Sequence, residues 1–125
     1  MIYLSNSAIQ YAVNLCVEFD GFKAIIVSPD SDARNRVAHY LRNIILQEDD
    51  GDPQLKLADN TYLLRFPNNS TIKVVGASAD TYASRAHLVV VDINTDREIV
   101  HGVLKHLETL PYRPYSKSGA WYMIP

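Results

Sequence analysis

Polar and apolar positions alternate along this chain in two distinct rhythms, and the switches between them mark the elements. Met1 to Leu4 is short and apolar, which suits a brief strand. Ser5, Asn6 and Ser7 follow, each a good helix N-cap. Ile9, Ala12, Val13, Cys16 and Val17 then recur at helical spacing, and Gly21 stands where a helix C-terminus favours a left-handed residue. Lys23 to Ser28 contains Ala-Ile-Ile-Val, the continuous apolar run of a buried parallel strand. Ser28-Pro29 reads as the strand end and the start of a helix running to about Leu46, with proline tolerated in its first turn. Ala33, Val37, Tyr40, Leu41, Ile44 and Ile45 form its inner stripe. Asp32, Asn35, Arg36, His39, Arg42 and Asn43 form its wet face.

Past the acidic stretch Gln47 to Pro53, which is expected to be a solvated loop, the rhythm changes. Thr61–Phe66 and Thr71–Val75 are β-rich, and Pro67-Asn68-Asn69-Ser70 between them has turn chemistry, so the pair predicts a hairpin at one edge of the sheet or projecting from it. Gly76 to Arg85 is small and polar, a loop. His87 to Asp92 holds Leu-Val-Val-Val, a second buried strand. Thr95-Asp96-Arg97-Glu98 matches a capping box, opening a helix with Ile99, Val100, Val103, Leu104, Leu107 and Leu110 inward. Pro111 and Pro114 stop that helix, and Trp121 to Ile124 suits a last strand. Buried strands alternating with amphipathic helices predict one α/β domain over residues 1–125, with a mostly parallel sheet, helices on both faces and an antiparallel hairpin.

Composition narrows the setting. The length of 125 residues suits a single core. The net charge of −2 exerts no global pull on nucleic acid, so such binding needs a local basic patch. The one cysteine, Cys16, lies in an apolar stripe and reads as a small buried hydrophobe in a reducing, cytoplasmic setting. No apolar run is long enough to span a membrane, and the N-terminus lacks the basic start and apolar core of a secretory signal.

Ligands of open α/β sheets bind at the carboxyl ends of the strands. Ser5–Ser7, Ser28–Ser31 and Asp92–Thr95 are expected to arrive there. Asp92 ends an apolar strand, where a carboxylate can hold magnesium through water or simply close a turn. Ser5, Asn6 and Ser7 offer a helix N-terminus to an anion. His39, His87, His101 and His106 show no metal-ligand pattern, and no metal is expected. Arg34, Arg36 and Arg42 on the second helix, and Arg113, Tyr115 and Lys117 in a tyrosine-rich tail, are candidate contacts for nucleic acid or for a protein partner.

The stretch FPNNSTIKVVGASADTYASRAHLVVVDI resembles the ATPase core of phage terminase large subunits and related helicase-like motors. There, a hairpin turn of the form F-x-N-G-S-x-I precedes a small-residue loop and then R-x-x-x-x-V-V-V-D-E on the Walker B strand. The corresponding residues are Phe66, Asn68, Ser70, Ile72, Gly76, Arg85 and the run Ala86 to Asp92. The resemblance covers roughly Met1 to Leu110 and implies a RecA-like P-loop fold, phage origin, DNA packaging and a host-cytoplasmic location. Two parts of the machinery are missing. The phosphate cradle needs glycines to wrap the phosphates and a lysine to reach the terminal one, yet only Ser-Asn-Ser-Ala lies between Leu4 and Ile9. The glutamate that follows the Walker B aspartate is replaced by Ile93. The expectation is a non-hydrolytic interaction or regulatory module, binding another protein or itself and needing no cofactor. The alternatives are a motor component that takes up magnesium and ATP only when a partner completes the site, and a DNA-binding accessory protein that uses Arg85 and the other basic residues.

Overall fold

The computed structural model describes residues 2–47, 54–58, 61–76 and 86–98. Six strands, β1 (Ile2–Tyr3), β2 (Lys23–Ser28), β3 (Gln54–Ala58), β4 (Thr61–Arg65), β5 (Thr71–Gly76) and β6 (Leu88–Val91), form one sheet in the order β1-β6-β2-β5-β4-β3. Pairings β1–β6, β6–β2 and β2–β5 are parallel, and β5–β4 and β4–β3 are antiparallel. The protein is therefore α/β with a mixed, largely parallel sheet.

The hairpin is present but is not a peripheral addition. Its second strand, β5, lies inside the sheet and pairs in parallel with β2 over the full length from Lys23↔Thr71 to Ser28↔Gly76. β3, unassigned from sequence, adds outside β4. The alternation in Gln-Leu-Lys-Leu-Ala is its signal.

Helix α1 (Asn6–Glu18) follows β1 directly, and α2 (Ser31–Gln47) follows β2. Both belong to one hydrophobic cluster, in which Ile9, Ala12, Cys16, Val37 and Leu41 meet Ile26, Leu64, Ile72, Val74 and Val90. Both described helices thus cover the same sheet face. The opposite face gathers Ile25, Val27, Val75, Val89 and Val91 with Ala86 in a second buried cluster. The helix expected from Ile99 to Leu110, the strand expected from Trp121 to Ile124 and most of the Gly76–Arg85 and Gln47–Pro53 loops lie outside the described residues. Among the described residues, no helix is long and apolar enough to cross a membrane.

Helix starts differ from expectation by one or two residues, for a shared reason. Pro29 precedes α2. Asp30 caps it, its carboxylate accepting the Ala33 amide at 2.8 Å and its carbonyl the Arg34 amide at 3.1 Å. Likewise Asp96, not Thr95, opens the helical turn at Arg97–Glu98, accepting the Glu98 amide at 2.9 Å. In both places a carboxylate just past the expected cap takes the N-terminal amides, where negative charge is also favoured.

Helix α1 ends on a clamp from far along the chain. Its last carbonyls lack intrahelical donors. The Asn68 amide donates to the carbonyls of Cys16 (2.8 Å) and Phe19 (3.2 Å), and the Ser70 hydroxyl donates to Phe19 (2.7 Å). Ser70 Oγ in turn accepts the Phe22 amide at 3.0 Å, and the Asn68 carbonyl accepts the amide of Gly21, whose φ is +69°. Asn69 also has a left-handed φ of 69°, which asparagine tolerates at a tight turn.

His87 links the other end of β2 to β6. Its Nδ1 accepts the Lys23 amide at 3.0 Å, and its ring stacks on Phe22 with centroids 5.0 Å apart. Burial, and secondarily the nearby Lys23 ammonium, lower its pKa below the ordinary 6.5. The unfolded chain therefore binds the proton more readily. The stabilisation is complete above about pH 6.5 and is lost as pH falls through the lowered folded-state value. Denaturant midpoints measured from pH 7 to 5 are expected to fall more steeply for the wild type than for His87→Asn, which keeps an acceptor but does not titrate. Equal slopes would remove His87 from the acid response.

Candidate functional site

The four parallel strands β1, β6, β2 and β5 deliver their carboxyl ends to one edge of the sheet. The β2–β6 ladder continues through the Asp92 amide, which donates to Val27 O at 2.9 Å, so Asp92 comes level with Ser28. Ser28 is in turn paired with Gly76. Alternation along the strands puts Asp92, Ser28 and Gly76 on the face that carries α1 and α2, since Val90, Ile26 and Val74, two residues earlier, all belong to that cluster. Asp92, Ser28 and Gly76 thus form a row across the carboxyl edge, on β6, β2 and β5.

Each member of the row is held differently. Asp92 is half-buried, and its Oδ1 accepts the Asn94 amide at 2.9 Å while its carbonyl accepts the Thr95 amide at 2.9 Å. The aspartate therefore closes the turn after β6, the plainer of its two expected roles, and its second carboxylate oxygen is not used in that turn. Ser28 is fully buried, and its hydroxyl has no hydrogen-bond partner among the described residues; Thr95 Oγ1, in a buried residue, has none there either. At Gly76, a β-carbon would sit 2.6 Å from Arg34 Nη1, so glycine leaves room for the guanidinium to lie over the end of β5.

At the β1 end, Ser5 is the N-cap of α1. Its backbone is extended (φ −158°, ψ 168°), its hydroxyl accepts the Ala8 amide at 3.0 Å and its carbonyl the Ile9 amide at 3.0 Å. Two residues, Leu4 and Ser5, turn the strand into the helix. Asn6 and Ser7 are exposed in the first turn, with main-chain amides that have no intrahelical acceptor. They open onto a polar groove with Gln10, Tyr11, Asn14 and Tyr40. This is a bare turn with two outward amides, not a loop wrapped round an anion.

The arginines of α2 do not form one patch. Arg34 reaches the sheet edge, whereas Arg36 and Arg42 are exposed on the outer face. Arg42 lines a shallow groove with Asn35, Ala38, His39 and Tyr62, where the Tyr62 hydroxyl donates to Asn35 Oδ1. Arg85, Arg113, Tyr115 and Lys117 lie outside the described residues. Cys16 is buried, and desolvation raises its thiol pKa far above the usual range, which leaves it unreactive. No cluster of three or more His, Cys, Asp or Glu suited to a metal occurs among the described residues.

Sequence reasoning placed Ser5, the Ser28–Ser31 segment and Asp92 at this edge, but not Gly76 or Arg34's place beside them. A serine closing a run of buried valine and isoleucine was the available signal for Ser28. No protein-family model, curated protein or solved structure matches this chain.

Proposed function

We propose that this chain is a non-hydrolytic binding module built on a RecA-like scaffold of the terminase-motor type, docking on another protein or on a second copy of itself. The observation that carries this reading is the passage from β1 to α1. Leu4 and Ser5 alone span it, and the Ala8 and Ile9 amides that a phosphate cradle would turn outward are taken up by the Ser5 hydroxyl and carbonyl. Ile93, beside Asp92, supports it: the side chain is apolar and 75% exposed where a water-activating carboxylate belongs. Ile93 and Tyr3, the latter 64% exposed, are the exposed large hydrophobics among the described residues, and both stand at the β1–β6 end of the sheet. An apolar pair at the mouth of an otherwise polar edge favours a protein partner.

Purified chain mixed with magnesium and ATP is expected to release phosphate at the rate of the protein-free blank, and Asp92→Ala to behave identically. A rate above the blank that Asp92→Ala abolishes would overturn the reading. The half-buried Asp92 carboxylate, level with Ser28, favours a second reading, in which a partner chain supplies the missing loop and Asp92 then holds magnesium. Calorimetry of the reconstituted complex separates the two, since only the second predicts heat on adding ATP.

A further inference from the structure

The sheet face opposite the helices changes character halfway across. Towards β6 and β2 it is the buried aliphatic cluster of Ile25, Val27, Val89 and Val91. Towards β5, β4 and β3, the register sets out two polar rows. Lys23, Thr71 and Arg65 lie side by side in one. Lys73, Leu63 and Lys56 lie side by side in the next. Lys23, Arg65 and Lys73 are exposed, and none of them makes an ion pair among the described residues. Of the chain's 12 lysines and arginines, Lys23, Arg65 and Lys73 share this one face. On β5 and β4 every position of the face is apolar, neutral polar or cationic, with no aspartate or glutamate. Among the described residues this surface thus carries cations and no acids, in a protein whose net charge is −2.

We propose that this face binds single-stranded nucleic acid through its phosphates. The strand spacing of ~4.8 Å places Lys23 and Arg65, on either side of Thr71, about 10 Å apart, and Lys73 about 8 Å from each. That is a strip about one nucleic-acid backbone wide, too narrow to engage both backbones of a duplex. Lysine and arginine on an open strip relieve their mutual repulsion by releasing counterions from phosphates, a driving force that needs no base contact. The two rows carry no Phe, Tyr or Trp among the described residues, so the proposed contacts are to phosphates, which carry no sequence information. This surface is separate from Asp92, from Ser5 and from the α2 arginines.

The test is fluorescence anisotropy of labelled oligonucleotides with the intact chain. A single strand of roughly 20 nucleotides is expected to bind with a log–log salt slope of about −2 for three phosphate contacts, a loss of about 20-fold between 50 and 200 mM salt. The Lys23→Gln, Arg65→Gln, Lys73→Gln triple variant is expected to bind at least about tenfold more weakly at 50 mM salt, with most of that slope gone. These side chains are exposed, so an unchanged thermal midpoint checks that the fold survives. Arg36→Gln with Arg42→Gln, on the opposite face, is expected to bind as the wild type does. The proposal is overturned by any of four results: no binding at low salt, an unchanged triple variant, loss with the α2 pair instead, or tighter capture of duplex DNA or polyglutamate than of the single strand.

Discussion

Ser70→Ala is expected to destabilise the fold by about 2–4 kcal/mol, although it removes a single oxygen atom. The hydroxyl is buried and occupies both of its roles, donating to Phe19 O at 2.7 Å and accepting from Phe22 N at 3.0 Å. Without it, the Phe22 amide loses a buried acceptor. Phe19 O keeps the 3.2 Å contact from Asn68. An orphaned buried amide costs about 1–3 kcal/mol, and loosening the turn around Asn68 adds to it. Ser28→Ala provides the contrast. That hydroxyl is equally buried but has no partner among the described residues, so its removal leaves no described group newly unsatisfied and is expected to be neutral within about 1 kcal/mol, or stabilising. Urea unfolding of both variants gives the comparison. Similar losses at the two serines would mean that the clamp contributes no more than packing.

Leu41→Ala is expected to cost about 2–5 kcal/mol. Leu41 is fully buried in the middle of α2, in the cluster that joins α2 to α1 and the sheet. Deleting its branched end leaves a cavity whose walls, the central strands and α1, are themselves fixed by ladder and helix hydrogen bonds and collapse poorly. Because α2 also carries Arg34 over Gly76, the same substitution is expected to loosen the polar edge before global unfolding. Hydrogen exchange should speed up at the first turn of α2. A loss below about 1 kcal/mol would show that α2 is held mainly by its edges.

These two residues also show what the sequence could and could not tell. Leu41 was legible as core, because a helical stripe needs only its own period to be seen. The bounds of β2 were legible for a similar reason: a continuous apolar run next to Ser-Pro has a clear beginning and end. Asn68 and Ser70 were legible only as turn formers and as part of a motor-like pattern. That their side chains finish α1 depends on residues some 50 positions earlier, with separations of 52 for Cys16–Asn68 and 48 for Phe22–Ser70. The pattern block that looked most specific for a motor family thus has a structural job in this fold whatever its ancestry. The placement of β5 beside β2 was invisible for the same reason, since strand partners are not written locally. The basic face is the sharpest case. Lys23, Arg65 and Lys73 are scattered over about two fifths of the chain and become neighbours only through register. Helix starts were misplaced by a residue or two because serine, threonine and aspartate crowd together there, and the local code does not rank them.

The clamp on α1 also orders events in time. A ribosome that has released only the first half of this chain has made α1 without the groups that close it. Its last carbonyls stay in water until the turn at Asn68 arrives, and β2 has neither of its neighbours until β5 and then β6 are made. Loops this long must close before their contacts repay the lost chain entropy, which slows folding. The expected course is therefore late and concerted, with the N-terminal half waiting on the hairpin and β1 docking last, when Leu88–Val91 gives it a strand to join.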